Sequence, residues 1–353
     1  MKNKNLPIAL TGILIGVLAI TLTAMGNPAN MGFCIACFLR DISGALGFHN
    51  ASAVQYLRPE IIGLVLGSLL AAMIGREFSP KGGSSPMTRF LLGVFVMVGC
   101  LMFLGCPFRM ILRLAGGDGN AILGLLGFAA GILCGVFFLR RGYSLKRTYK
   151  LSPGEGAVLP AIMAALLLLL LAPSLLRFTP ADGGPGGLHA PLLASLAAGV
   201  IVGALAQRTR LCMVGGIRDM ILFRDGRLLL GFVTLFAAAL LGNLLAGDFH
   251  FSFSGQPVAH DDGLWNALGM LLCGFGCVLL GGCPLRQLVL AGEGNTDSAV
   301  TVLGLLTGAA LCHNFGLAAS AAGPTQNGKI AVVIGIAVVT VIAYIHTRKP
   351  NEA

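Results

Sequence analysis

The chain has 353 residues, of which 56% are hydrophobic and only 11% are charged. Soluble globular domains carry about 25% charged residues, so this composition excludes an ordinary soluble domain and predicts an integral membrane protein. The formal net charge of +10 does not indicate a nucleic-acid partner, because most lysines and arginines lie in short loops between apolar segments, where they act as topological signals. The ten cysteines lie mostly in or beside the apolar segments, and we expect free thiols.

Ten apolar runs are each long enough, at roughly 17–22 residues, to cross a bilayer as a helix. They begin near Pro7, Arg58, Arg89, Asn120, Ala157, Ala190, Arg227, Gly263, Asp297 and Gly328. Between them lie shorter or more polar pieces, which we predict to be re-entrant half-helices at 33–48, 107–116, 211–225 and 284–292. The sequence therefore predicts an all-α membrane fold of about ten transmembrane helices, with the lipid bilayer as its main partner.

Loop charges predict the orientation in the membrane. Basic residues are grouped on one side of the predicted arrangement, including Lys2, Lys4, Arg76, Lys81, Arg140, Arg141, Lys146, Arg147, Lys150, Arg208, Arg210, Arg224, Arg348 and Lys349. The opposite side holds an acidic loop with Asp248, Asp261 and Asp262. By the positive-inside rule we expect both termini to face the cytoplasm.

The chain carries one cysteine phrase twice, since Gly105-Cys106-Pro107-Phe108-Arg109 returns as Gly282-Cys283-Pro284-Leu285-Arg286. Upstream of each copy, at nearly the same distance, a second cysteine precedes an Arg-Asp pair. An odd number of spans before the second copy inverts it, and inverted repeats with broken helices are typical of transporters. We therefore predict a first membrane repeat with a cytoplasmic linker, a connecting helix and loop, a second inverted repeat, and a C-terminal helix with a cytoplasmic tail, at 1–156, 157–189, 190–327 and 328–353.

The proline of each Gly-Cys-Pro phrase favours the first position of a new helix, where its missing N–H is not needed. Cys106 and Cys283 are then predicted at or near the N-cap, where free N–H groups and the positive end of the helix dipole attract anions. Such thiols suit a small, soft, sulfur-like anion. The predicted substrate pathway is lined by Cys34, Cys106, Cys212 and Cys283.

Four arginines beside these cysteines are candidates for anion recruitment. Arg109 and Arg286 follow the Gly-Cys-Pro cysteines by about one helical turn and add positive charge. Arg40 and Arg218 allow two interpretations. They either form interfacial charge pairs with the aspartates that follow them, or line vestibules and draw anions inward.

Other cysteine arrangements leave two alternative functions open. Cys34-x-x-Cys37 has the spacing of redox pairs and metal sites, which would fit a membrane thiol oxidoreductase or sulfurtransferase. The second copy has Gly215 in place of the second cysteine, which speaks against this role. Thiols also suit Cu(I), so a soft-metal permease is the other alternative. Core packing is the expectation for the remaining cysteines, Cys100, Cys134, Cys273, Cys277 and Cys312.

The histidines are scattered and form no acid–base constellation, so we expect no enzyme, no catalytic residue, no metal site and no cofactor. The duplicated phrases resemble the YeeE/YedE family of bacterial inner-membrane sulfur transporters, and within it the selenium-associated YedE branch. The resemblance covers roughly residues 7–320. It implies import of thiosulfate or a selenium compound, the four pathway cysteines named above, and a small cytoplasmic sulfur-carrier protein as a partner. The sequence leaves open the choice of substrate, the coupling ion and the oligomeric state.

Overall fold

A computed structural model describes residues 5–347, which form an all-α protein. The first half contains α1 (Leu6–Ala24), α2 (Ile35–Ala45), α3 (Pro59–Ile74), α4 (Pro86–Phe103), α5 (Pro107–Ala115) and α6 (Asn120–Arg140). The chain continues with α7 (Pro153–Leu169), α8 (Leu192–Thr209), α9 (Met213–Phe223), α10 (Arg227–Ala246), α11 (Gly263–Leu280), α12 (Pro284–Gly292), α13 (Thr296–Asn314) and α14 (Gln326–Ile345). The other regular elements in this range are β1 (Lys81–Gly82), β2 (Tyr149–Lys150) and the 3₁₀ turns Ser52–Val54 and Pro173–Leu175.

Eight candidate spans among the described residues are long and apolar enough to cross a membrane. Four of them are single elements, namely α1, α6, α10 and α14. The other four span a helix together with a neighbouring short element, as in Pro86–Ala115 and Gly263–Gly292. The helix α7 is apolar but shorter. Like α7, the helix α13 runs from one set of loops to the other. The prediction of an all-α membrane protein is therefore confirmed, with re-entrant pieces close to their expected positions.

The loops gather at two faces of the molecule. At the basic face, which we define by loops 75–85, 141–152 and 293–295, β1 pairs with β2 in antiparallel register and Lys81 also bridges to Asn295. At the opposite face, defined by loops 46–58, 116–119, 170–191, 247–262 and 315–325, Asp118 bridges to Ser252. Both described chain ends lie at the basic face. The predicted charges on Lys2, Lys4, Arg348 and Lys349 lie outside the described residues.

Equivalent helices of the two halves run in opposite directions. The first repeat starts with α1 at the basic face, whereas its counterpart α8 starts at the opposite face and ends where Arg208 and Arg210 approach Glu77. The same inversion relates α3 to α10, α4 to α11 and α6 to α13. The connecting helix α7 makes the number of spans before the second repeat odd. The four-part division of the chain stays a prediction.

The two halves are interleaved by four parallel helix pairs, α1 with α10, α3 with α8, α4 with α13, and α6 with α11. Glycines at helical spacing line these contacts. In the α3–α8 pair, a Cβ atom at Gly63 would lie 2.5 Å from the Leu196 carbonyl oxygen, and one at Gly67 would overlap the main chain of Val200. Close backbone approach at small residues is the usual basis of helix association in lipid. The glycine pairs are packing features.

The broken helices form the centre of the molecule. The α4–α5 and α11–α12 spans are 78% and 83% buried, whereas α10 and α14 are 28% buried and form the periphery. The helices α4 and α11 pack against each other in opposite directions. The two breaks, between α4 and α5 and between α11 and α12, therefore lie inside the protein rather than against lipid.

Candidate functional site: thiols at the helix breaks

Both helix breaks are produced by local sequence. Leu104 has a left-handed conformation with φ of 59°, and Gly281 has φ of 83°, so each long helix stops just before the cysteine phrase. Pro107 and Pro284 then start α5 and α12 at the first helical position, where proline costs no hydrogen bond. The predicted N-cap positions of Cys106 and Cys283 are confirmed.

The upstream cysteines are also N-caps, which the sequence analysis did not predict. Cys34 caps α2 and Cys212 caps α9, and each Sγ accepts a hydrogen bond from the backbone N–H three residues on, at 3.4 Å. In the first half the donor is Cys37, and in the second half it is Gly215. The capping geometry is therefore the same whether or not a second cysteine is present.

Within each half, the two N-cap thiols meet and form a dyad. The Sγ atoms of Cys34 and Cys106 are 4.0 Å apart, and those of Cys212 and Cys283 are 3.8 Å apart. All four side chains are at most 5% exposed. Two half-helix N-termini therefore converge on each dyad, and their free N–H groups and dipoles make its surroundings electropositive.

The two dyads lie at different depths. At the first break, the carbonyl oxygens of Leu101 and Met102 accept hydrogen bonds from the Ala319 N–H and from His260, in the loops of the opposite face. Because α4 and α11 are antiparallel neighbours, the dyads are offset along the axis between the faces. They do not form one cluster.

A third thiol group lies between the dyads. Cys100 of α4 is 3.5 Å from Cys273 of α11, measured between Sγ atoms, and Cys273 is 3.9 Å from Cys277. Cys100 and Cys277 lie in the last turns of α4 and α11, three residues before these helices end at Phe103 and Leu280. All three side chains are fully buried, so the expectation of core positions is confirmed for them.

The guanidinium groups of Arg109 and Arg286 are occupied by protein partners. Arg109 donates to the carbonyl oxygens of Leu104, Asn30, Pro257 and Val258, and its Nη1 lies 3.8 Å from Cys37 Sγ. Arg286 forms an ion pair with Glu293 at 3.1 Å. Arg109 therefore joins α5 to the end of α4, whereas Arg286 pairs with the residue that caps its own helix, α12. Anion recruitment by both arginines stays a prediction.

Arg40 belongs to a buried charge cluster that the sequence analysis only partly found. Its Nη2 is 2.7 Å from Asp41 Oδ1, while Arg58 Nε is 2.8 Å from Asp41 Oδ2. The sequence predicts Arg58 only as the start of a span. Its other donors bind the carbonyl oxygens of Pro185 and Leu188. The single carboxylate of Asp41 thus pairs with two guanidinium groups, so the cluster carries a net positive charge.

The corresponding pair in the second half is more exposed. Arg218 Nε and Asp219 Oδ1 are 2.8 Å apart, with the two side chains 24% and 20% exposed. A second fully buried ion pair, Arg113 with Asp118 at 2.6 Å, was missed, because no duplicated motif marks Arg113. It stabilises the turn after α5 and is not adjacent to a described thiol dyad.

The remaining cysteines differ in environment. Cys37 Sγ is 3.6 Å from the carbonyl oxygen of Leu104, next to the first break. Cys312 is fully buried on α13. The core position expected for Cys134 is wrong, because this residue is exposed on the outer side of α6. Its helix packs against α11 through the glycine face, which leaves the other side free. All ten cysteines are free thiols.

Comparisons with known proteins find similarity over part of the chain. A family model described as "Sulphur transport" matches residues 208–348, from the end of α8 through α14. The thiosulfate transporter TsuA of Escherichia coli (strain K12) is 29% identical over 114 residues. That match covers 31% of this chain and 31% of the relative, so the chain spans about a third of the length of the curated relative. This multi-pass membrane protein is therefore similar to sulfur-transport proteins over part of its length.

Proposed function

We propose that this protein is a transporter of a small sulfur-containing anion, with thiosulfate as its substrate and selenium analogues as alternatives. The observation that carries the proposal is the pair of buried thiol dyads, one in each inverted half, at four converging helix N-termini. The similarity to a sulfur-transport family and to a thiosulfate transporter supports the same substrate class. In this proposal the protein is not an enzyme.

The chemistry of the dyads suits passage rather than tight binding. Helix N-termini attract anions, while thiols are weak hydrogen-bond donors and weak acceptors. An anion held between them occupies a shallow site, which allows both access and exit. A fixed, unpaired arginine at the same depth would hold a divalent anion too strongly for rapid release, and here Arg109 and Arg286 are already engaged with carbonyl and carboxylate oxygens.

The three buried thiol groups define a route between the faces. The anion passes the Cys34–Cys106 dyad, then Cys100 with Cys273 and Cys277, and finally the Cys212–Cys283 dyad. Cys100 and Cys277 lie six residues before Cys106 and Cys283 in the chain, so the steps between successive groups are short for a small anion. Movements of side chains and of the N-terminal ends of the short helices α2, α5, α9 and α12 open the tightly packed segments between these groups.

Orientation and partners complete the proposal. The positive-inside rule assigns the basic face to the cytoplasm, so the protein imports its substrate across a bacterial inner membrane with both termini inside. A small cytoplasmic sulfur-carrier protein then accepts the delivered sulfur at the basic face. This partner is supported only by the family resemblance.

Uptake of radiolabelled thiosulfate into cells that lack their own importer tests the proposal. We expect Cys106→Ala and Cys283→Ala to lower uptake roughly fivefold or more, since one hydrogen bond is worth about 1 kcal/mol. Cys134→Ala is the matched control, because this thiol lies on the outer side of α6, and it should transport normally. Unchanged uptake in both dyad variants would overturn the thiol route.

Further experiments distinguish the selenium substrates and the two alternative functions, an oxidoreductase and a soft-metal permease. Selenite and selenosulfate uptake in the same cells identifies the preferred chalcogen. A thiol-alkylation shift that cycles on oxidation and requires Cys37 would favour an oxidoreductase, whereas stoichiometric copper binding by the purified protein would favour a soft-metal permease. The presence of Gly215 in the second half argues against the oxidoreductase, because only one half could form the disulfide.

A further inference from the structure

A cavity of about 460 Å³ opens at the opposite face and reaches toward the first helix break. Its rim is formed by the loop after α13, around Ser320, and by the loop around Ala53. Its inner residues include Arg40, Leu104, Cys312 and His313. We call it the Arg40 cavity. Arg40 is the one residue of this cavity that the sequence predicts to recruit anions, and the sequence predicts no role for His313.

The charge in this cavity is positive. Arg40 uses Nε and Nη2 to bind a single oxygen of Asp41, and among residues 5–347 no hydrogen-bond partner contacts its Nη1. The other oxygen of Asp41 is taken by Arg58, whose remaining donors bind carbonyl oxygens. Two guanidinium groups and one carboxylate therefore leave about one unit of positive charge, and Arg40 is the member of the cluster that lines the cavity.

His313 supplies an unused polar atom in the same cavity. Its Nε2 is buried and has no hydrogen-bond partner among the described residues. The ring lies against that of His49, with centroids 4.6 Å apart. Both nitrogens of His49 are occupied, because Nδ1 accepts from the Ala51 N–H and Nε2 donates to the Arg40 carbonyl oxygen. His49 therefore fixes the position of His313 and leaves its Nε2 for a ligand.

We propose that the Arg40 cavity binds the substrate anion before it reaches the thiol dyads. The ligand class is a small oxyanion with one soft chalcogen atom. Arg40 and the His313 Nε2–H hold its oxygen atoms, and the Cys312 thiol contacts its sulfur or selenium. Such a group of a cation, a neutral donor and a thiol distinguishes this ligand from sulfate, which has only oxygen atoms.

The position of the cavity connects it to the route. Leu104 lines the cavity, and the carbonyl oxygen of this residue is 3.6 Å from Cys37 Sγ. Cys37 in turn follows Cys34 in the N-terminal turn of α2. An anion that leaves Arg40 and His313 therefore has only the Leu104 break to pass before the first dyad. This inference rests on the proposed function, since it assumes that the anion moves inward.

The first test is transport kinetics in the knockout cells described above. We expect His313→Ala to raise the KM for thiosulfate at least fivefold and to change the maximal rate less than twofold, because binding is weakened before the thiol route begins. His313→Gln should recover part of the affinity, since its amide supplies a donor. His250→Ala is the control, as this exposed histidine lines a separate cavity at the same face.

The second test measures, by calorimetry, the binding of thiosulfate and of sulfate to the purified protein. Wild-type protein should bind thiosulfate more tightly, and Cys312→Ala should reduce that preference without weakening sulfate binding. If His313→Ala and His313→Gln both leave KM and thiosulfate affinity unchanged while Cys106→Ala still lowers uptake, the cavity proposal is wrong and the thiol route stands. If binding depends on His313 but no uptake occurs, the cavity stands and the transport function is wrong.

Discussion

Buried polar side chains in this protein are fixed by main-chain groups that come from distant parts of the sequence. Arg109 binds carbonyl oxygens at 257 and 258, and Arg58 binds those at 185 and 188. A charge in the interior is costly unless it is paired and hydrogen-bonded, so these contacts determine what each arginine can do. The sequence locates Arg109 beside a cysteine phrase, but the partners of both arginines become known only from the fold.

His260 shows the same principle with a titratable group outside the spans. It is fully buried in the loop before α11, where Nε2 donates to the Met102 carbonyl oxygen at 2.8 Å and Nδ1 accepts from the Asp262 N–H. Burial lowers the pKa of His260 below its usual 6.5, and it does the same to the pKa of His49. Both rings are therefore neutral in the folded protein.

Stability should fall at acidic pH for this reason. In the unfolded chain these histidines take up protons below pH 6.5, whereas in the folded protein they do so only at lower pH. Their contribution to the free energy of unfolding is therefore fully present above pH 6.5 and is lost as the pH falls below that value. We expect the Tm in detergent to decrease between pH 7 and pH 5. His260→Gln should have a lower Tm at pH 7 but a smaller decrease toward pH 5. An identical pH dependence in His260→Gln and the control His250→Gln would contradict this account.

At the scale of helices, most boundaries could be predicted because they follow from local chemistry. Gly-Cys-Pro breaks a helix and starts another, so the predicted pieces 107–116 and 284–292 nearly coincide with α5 and α12. The sides of the helices are harder to predict. In α6 the glycines face α11, which leaves Cys134 exposed, and hydrophobic periodicity could not show this, because both sides of a membrane helix are apolar.

Glycine contacts make the parallel helix pairs sensitive to a single methyl group. Gly67→Ala would force α3 away from α8, because the new Cβ overlaps the Val200 main chain, and overpacking of this kind costs about 1–3 kcal/mol. Gly154→Ala is the matched control, since no heavy atom lies within 4 Å of the added Cβ. We expect a clear drop in Tm for the first variant and no loss for the second, measured by size exclusion after heating. Equal Tm values would contradict the described α3–α8 contact.

At the scale of the whole molecule, the loop charges predict that the basic loops lie on one side. In the structure these loops contact one another at one face. Lys81 pairs with Lys150, and Arg208 approaches Glu77. The pairing of α1 with α10 and of α4 with α13 could not be predicted from one sequence, since apolar helices carry no mark of their neighbours. The Arg40 cavity depends on such pairing and was likewise beyond sequence analysis.

Cysteine labelling in intact cells can assign the faces. In a Cys134→Ala background, Phe251→Cys at the opposite face should react with a membrane-impermeant maleimide added outside, because Phe251 is 63% exposed. Tyr149→Cys at the basic face, where Tyr149 is 67% exposed, should react only after lysis. The reversed pattern would place the basic face outside and would contradict the positive-inside assignment.

The interleaving of the halves restricts how the proposed transport can proceed. Every long helix of one repeat except the connecting pieces lies along a helix of the other, through glycine contacts that tolerate no gap. A rocking motion of one repeat against the other would separate four such helix pairs at once. Lipid chains would not replace the close packing contacts that are lost. In the transport route proposed above, the moving parts are therefore the short ones, the N-terminal ends of α2, α5, α9 and α12, while the long helices stay in place.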